Sequence, residues 1–140
     1  MAYSGYLLKV GTWVFPLQYI RYDTYKATVN QRIDLDSTVN TAGYLWRQVL
    51  AHTRTKVEFD MPMMRMSEQK DIMSHIRAAW QANGTELQRE CMVEYYDMET
   101  DTYKTMNCYM PDIEWKIRNI DNTAPYEINY DETRIAFIEK

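Results

Sequence analysis

The sequence predicts a mainly β, α+β protein: an antiparallel β-sandwich or barrel with one flanking α-helix at about 67–83 and a long protruding β-hairpin at about 25–59. Three observations lead there. Apolar and polar residues alternate with a period of two along much of the chain, the mark of strands with one buried face. Apolar residues at helical spacing occur convincingly in one stretch only. No strand–helix–strand repetition is present, so hairpins must join the strands. At 140 residues, a single domain over 1–140 is expected, since domains run roughly 100 to 200 residues.

Along 25–35, Tyr25, Ala27, Val29, Gln31, Ile33 and Leu35 fall on one side and Lys26, Thr28, Asn30, Arg32 and Asp34 on the other. Turn formers fill 36–43 (DSTVNTAG). Residues 44–59 then alternate again, with Val49, Ala51, Thr53, Thr55, Val57 and Phe59 opposing Leu50, His52, Arg54, Lys56 and Glu58. The two runs make the long hairpin. Its outer half is polar yet displays Ile33, Leu35, Tyr44, Leu45 and Trp46, which need apolar cover that a second chain would supply.

After Met61, Met63, Met64 and Met66, Ser67 is suited to cap a helix, Glu68 and Asp71 suit its positive end, and Gly84 suits a left-handed stop. Ile72, Met73, Ile76, Ala79 and Trp80 form one stripe, with Lys70, Arg77 and Gln81 outside it. Beyond the helix, 89–97 and 103–110 read as a second hairpin around 98–101. Ile113, Trp115 and Ile117 alternate with Glu114, Lys116 and Arg118 in a further strand, and the last strands fall near 126–130 and 134–138.

Composition sets bounds on function. The chain is 46% hydrophobic and 14% aromatic with four Gly and four Pro, which supports a packed core and excludes a disordered chain. Sixteen Lys and Arg against 20 Asp and Glu give a net charge of −4, which argues against a phosphate-binding role. Tyr and Arg interleaved could stack single-stranded nucleic acid, but the acidic balance makes this the lesser reading. No run reaches the ~20 apolar residues that span a bilayer, and 1–10 lacks the pattern of a secretory leader, so synthesis in the cytoplasm and no membrane partner are expected. Residues 1–65 hold eight basic and five acidic groups, and 66–140 eight and fifteen. If the halves mapped to opposite faces, identical copies would attract head to tail. Twelve Tyr and four Trp are more than one small core absorbs, and interfaces are their natural use.

Candidate chemistry is sparse. Asp97, Glu99 and Asp101 open like a calcium loop, but Thr102 stands where the turn glycine belongs and Cys108 where the bidentate Glu belongs, so a solvated turn is the better reading. The methionine run has thioethers that would suit Cu(I), yet flexible packing explains it more simply. His52, His75, Cys91 and Cys108 have zinc-ligand chemistry without zinc-ligand spacing. Asn83, Gly84 and Thr85 form a glycosylation sequon that a helix stop accounts for. Either His has general-base chemistry, but no nucleophile elbow, phosphate loop or metalloprotease motif accompanies it, so no catalytic residue, metal or cofactor is assigned and an enzyme is not expected. Pairing 97 with 102 around the second turn sets Cys91 directly opposite Cys108, a possible cross-strand thiol pair, reduced in a reducing compartment.

The strings MAYSGYLLKV, VNQRIDLDSTVNTAGYLWRQVLAHTRTKVEFDMP, YKTMNCYMPDIEWKI and RIAFIEK resemble a family of small proteins found in tail modules of phages and prophages of Gram-positive bacteria. The resemblance covers nearly the whole chain, and none of the strings is a catalytic motif. It implies a virion component made in the host cytoplasm: part of a non-contractile tail tube, an adaptor or the distal tip. The element order is similar to that of the tail-tube superfamily, which implies rings, commonly hexameric, built from copies of the chain and contacting other tail proteins. DNA would pass through such a ring without being specifically bound, and an acidic lumen would repel it. Ile33, Leu35, Tyr44, Leu45 and Trp46 are then the oligomer-interface residues. The alternative is a monomeric tail-tip module that holds a host-surface glycan or protein on Trp13, Trp46 or Trp115.

Overall fold

The structure, a computed structural model, describes residues 3–31, 34–39, 43, 45–49, 53–124 and 126–140, with 34–39 and 45–49 as backbone. It is a mainly β fold with one α-helix. The strands are β1 (Leu8–Val10), β2 (Trp13–Val14), β3 (Lys26–Gln31), β4 (Asp34–Val39), β5 (Leu45–Val49), β6 (Arg54–Met61) and β7 (Met64–Arg65), followed by α1 (Met66–Ala82). Then come β8 (Glu90–Asp97), β9 (Thr102–Tyr109), β10 (Ile117–Ile120), β11 (Ile128–Tyr130) and β12 (Thr133–Glu139).

Seven strands form one antiparallel sheet in the order β2-β1-β8-β9-β12-β6-β3, and three form a second in the order β10-β11-β7. The large sheet is open, with β2 and β3 at its edges, so it is not a closed barrel. It nevertheless curls: the Tyr95 hydroxyl on β8 lies 3.2 Å from Thr55 Oγ1 on β6, although β9 and β12 separate those strands in the sheet. The concave face holds the core. Leu8, Val57, Phe59, Val93, Ile135 and Phe137 are all buried there, at the alternate positions that period two requires. The segment between β2 and β3 crosses from one sheet edge to the other through two 3-10 turns, Leu17–Tyr19 and Tyr22–Thr24. It carries Phe15 to within 5.2 Å of Phe59 and donates the Arg21 N–H to the Asp60 carbonyl.

The helix buries the predicted stripe of Ile72, Met73, Ile76, Ala79 and Trp80. Each such side chain removed from water contributes about 1.5 to 3 kcal/mol before entropy is counted. Its start differs from expectation. Arg65 is the N-cap residue and Ser67 already lies inside the first turn, while the Glu68 carboxylate accepts the Arg65 backbone N–H at 3.4 Å. Its end is as expected: Gly84 (φ +71°) donates to the Gln81 carbonyl and Thr85 to the Trp80 carbonyl, a Schellman stop. The β1–β2 turn comes so close to the helix that a Cβ on Gly11 (φ +62°) would stand 3.2 Å from the Ala79 Cβ.

The second hairpin pairs Glu90–Asp97 with Thr102–Tyr109 as read, whereas 111–116 forms no strand. Ile113 and Trp115 do alternate inward there, but the ladder begins only at Ile117. The two charge halves do not separate. Strands from residues 1–65 stand at both ends of the large sheet, and β8, β9 and β12 stand between them. No described helix is long and apolar enough to cross a membrane.

Candidate assembly surface

The first hairpin changes character along its length. From Lys26↔Glu58 to Thr28↔Lys56 it belongs to the large sheet. At Val29–Asn30 a β-bulge shifts the register, so that Gln31 opposes Arg54 and stands exposed instead of core-facing. Asn30 supplies the left-handed conformation this bulge needs (φ 52°), which Asn tolerates better than most residues. Beyond it, β4 and β5 pair with each other from Asp34↔Val49 to Val39↔Leu45, with a second shift between Asp34 and Asp36. They pair with no other described strand. The outer hairpin is therefore a two-stranded ribbon leaving the sheet.

A buried polar node fixes the root of this ribbon. Thr55, 1% exposed, accepts the Asn30 backbone N–H at 3.1 Å on Oγ1 and meets the Tyr95 hydroxyl with the same atom. Its own N–H donates to Glu139 Oε1 at 2.9 Å. Thr53 adds a hydrogen bond to Asn30 Oδ1 at 3.4 Å. Three strands, β3, β6 and β8, thus meet at the Thr55 hydroxyl, and β12 joins them through the Thr55 backbone N–H. Sequence reasoning put Thr55 on the inward face without giving it a role; a hydroxyl in an otherwise apolar phase was the available signal.

Of the five residues read as an interface, Ile33 and Tyr44 lie outside the described residues. Leu35, Leu45 and Trp46 lie on the ribbon strands, where the backbone alone is described. His52 also lies outside. Cys91 and Cys108 are direct cross-strand partners in β8 and β9, both buried and both free, with Cys108 Sγ 3.4 Å from the Cys91 carbonyl. Their thiols interact: the hydrogen bond from Cys108 lowers the pKa of Cys91, and the same bond together with burial raises that of Cys108.

The aromatic surplus is spent largely inside the molecule. Tyr3, Tyr6, Tyr96 and Tyr103 form a contiguous cluster that straps the N-terminal segment onto β8–β9, with Tyr6 and Tyr103 stacked at 4.5 Å. The Tyr103 hydroxyl donates to the Tyr6 carbonyl, and the Tyr6 hydroxyl to Glu94, which raises its pKa to about 12. Trp13 stacks on His75 at 4.6 Å and Trp115 packs on Tyr130, so the glycan platforms envisaged at these two positions already have intramolecular partners. His75 pairs with Asp71 at 3.6 Å and is half exposed, whereas the two thiols are buried. Met61 and Met64 are buried and Met63 is half exposed, so the methionine run diverges. Among the described residues no three His, Cys, Asp or Glu side chains converge on a metal-sized site. The 97–101 turn is closed by its own side chains, Asp97 Oδ1 accepting the Glu99 N–H and Tyr96 donating to Asp101.

Exposed large apolar side chains, Leu87 and Tyr22 among them, are scattered over the described surface, and some belong to the three-stranded sheet. In the three-stranded sheet Ile117 and Ile120 are 56% and 54% exposed, next to Met63 at 51%. β10 is an edge strand whose outer side no described strand covers. No curated protein and no solved structure matches the chain. A family model does match it, over residues 1–140, and the chain belongs to that family, the family of unknown function DUF6711.

Proposed function

We propose that the protein is a non-enzymatic structural component of a phage or prophage tail (tube, adaptor or distal tip) that assembles into rings of identical subunits. The observation that supports this most is the β4–β5 ribbon, which continues a core hairpin out of the sheet and pairs with no other described strand. A two-stranded ribbon in isolation is marginal in water, and pairing with a neighbouring subunit would stabilise it. The tail assignment comes from the resemblance of the sequence strings; the fold supports it through its antiparallel sheet, single flanking helix and long first hairpin. The mechanism is geometric, with strand addition and aromatic burial building a conduit through which DNA passes unbound. Other tail proteins would stack on the ring faces.

The test is solution mass by light scattering over a wide concentration range, for the whole chain and for a chain lacking 34–45. A closed species of several subunits for the first and a folded monomer for the second is the expected result. Assembly that persists after the deletion would sink the hairpin's role.

A further inference from the structure

We propose that the outer edge of β10 is the surface that receives the ribbon, with β4 of one subunit adding to β10 of the next. This rests on the assembly reading above and names its missing half. Any strand-addition interface needs a donor and an acceptor, and the fold restricts both.

The acceptor must be an open edge with free backbone groups. Asp121 donates its N–H to the Glu127 carbonyl, so by antiparallel alternation Asn119↔Asn129 is also a hydrogen-bonded pair and Ile120 between them turns its N–H and carbonyl away from β11. All four residues of β10 are exposed, two of them isoleucines, an arrangement that isolated proteins ordinarily blunt. Of the other edges, β2 and β7 are less suited, at two residues each, while β3, like β10, is longer and carries one register shift.

Position decides between β10 and β3. The ribbon leaves at the Arg54 end of β6, whereas β7 and the three-stranded sheet join at its Met61 end. Eight residues of strand put those ends about 24 Å apart. Docking on β3 would bring two ribbon roots together and give a two-fold dimer. Docking on β10 places donor and acceptor at opposite ends of each subunit, a head-to-tail contact that forms a ring when the rotation between successive subunits closes.

Charge selects which ribbon edge docks. β4 contains Asp34 and Asp36 and no base, while β5 contains Arg47 and no acid. β10 contains Arg118 and no acid, with Lys116 just before it and Asp121 just after. The acidic strand therefore faces the basic edge, and the opposite pairing would set like charges together.

Three variants of the full chain, measured by light scattering beside the wild type, test this. Ile120→Pro removes an outward N–H without touching a β10–β11 bond, and Arg118→Glu reverses the charge of the edge; both should yield monomers that still unfold cooperatively. Arg118→Glu combined with Asp34→Arg and Asp36→Arg should recover the assembled species. A wild-type chain that assembles and loses assembly on deletion of 34–45, yet assembles normally with Ile120→Pro and Arg118→Glu, overturns the acceptor edge and leaves the ribbon's role standing. A wild type that stays monomeric at every concentration removes both, and a stable dimer in place of a ring points to β3 and overturns β10. Failure of the charge swap to restore assembly rejects the β4–β10 pairing.

Discussion

The molecule contains two long hairpins of opposite design. β8 and β9 pair from Glu90↔Tyr109 to Asp97↔Thr102 without a register shift, and lie between β1 and β12 with both outer edges used. The hairpin running from β3 to β6 shifts register twice, at Val29–Asn30 and near Asp34, and its distal half leaves the sheet. Both obey the same local rules of alternation. The difference is that an unbroken register keeps one face inward for its whole length, while a bulge turns the following residues to another face and frees them from the core. A hairpin can thus serve as scaffold over one half and as a projecting arm over the other.

Removing core from the scaffold half should have the largest effect on stability. Phe59, 1% exposed, has ring neighbours Phe15, Tyr25 and Phe137 at 5.2, 5.9 and 6.5 Å. Phe59→Ala should cost about 3 to 5 kcal/mol in denaturant unfolding. Deletion of 34–45, by contrast, should leave the unfolding midpoint of the monomer nearly unchanged. Equal losses from the two changes would show that the ribbon belongs to the core, and the contrast between the hairpin halves would fail.

The boundary between those halves should give an intermediate effect. Thr55→Val leaves the Asn30 N–H and the Tyr95 hydroxyl without their partner at the node. About 1 to 3 kcal/mol of stability should be lost. Because the node fixes the angle at which the ribbon leaves, amide exchange should rise selectively along β3 and the start of β6, with β8–β9 little changed. Uniform acceleration throughout the sheet would mean that Thr55 supports the core alone.

Much of the scaffold was legible in the sequence. The stripe of Ile72, Met73, Ile76, Ala79 and Trp80 and the Gly84 stop are local signals, and local signals survive folding. The Cys91↔Cys108 register followed from a four-residue turn. What escaped depends on long-range contact. The β1–β2 strands are three and two residues long, too short for periodicity to register. The alternation expected over 113–118 holds as burial at Ile113 and Trp115 but not at Ile117, and as a strand only from Ile117 onward, because extended backbone becomes a strand only where a partner lies alongside. The Asn30 bulge is hard to see by alternation counting, since its sole mark in the apolar phase is Gln31 between Val29 and Ile33, and one polar residue does not reveal a change of register. The tyrosines were read as surplus because the strap of Tyr3 and Tyr6 over Tyr96 and Tyr103 joins residues nearly a hundred positions apart. Of the surface proposed for assembly, sequence pointed to the ribbon and missed the β10 edge, whose four residues look unremarkable until one side is seen to be unpaired.

The smallest expected effect lies at the tip of the other hairpin and shows how the scaffold closes its own turn. Asp97 is fully buried, with Oδ2 2.8 Å from Lys104 Nζ and Oδ1 accepting the Glu99 N–H. Burial alone would raise its carboxyl pKa, but the Lys104 ammonium, the Thr100 hydroxyl and the Glu99 N–H outweigh it and the net shift is downward. A carboxyl held below its unfolded value of about 3.9 stabilises the fold at pH values above that point, and the contribution fades as pH falls through the lower folded value. Unfolding midpoints measured from pH 6 down to pH 2 should therefore fall more steeply for the wild type than for Asp97→Asn. At neutral pH the variant should be less stable by about 1 kcal/mol, because Lys104 is partly solvated and its loss of a partner is cushioned by water. The deletion of 34–45 should leave this acid limb intact, since the tip of β8–β9 and the ribbon share no strand. An acid limb that disappears with the ribbon would tie the two hairpins together electrostatically and remove the independence on which their comparison rests.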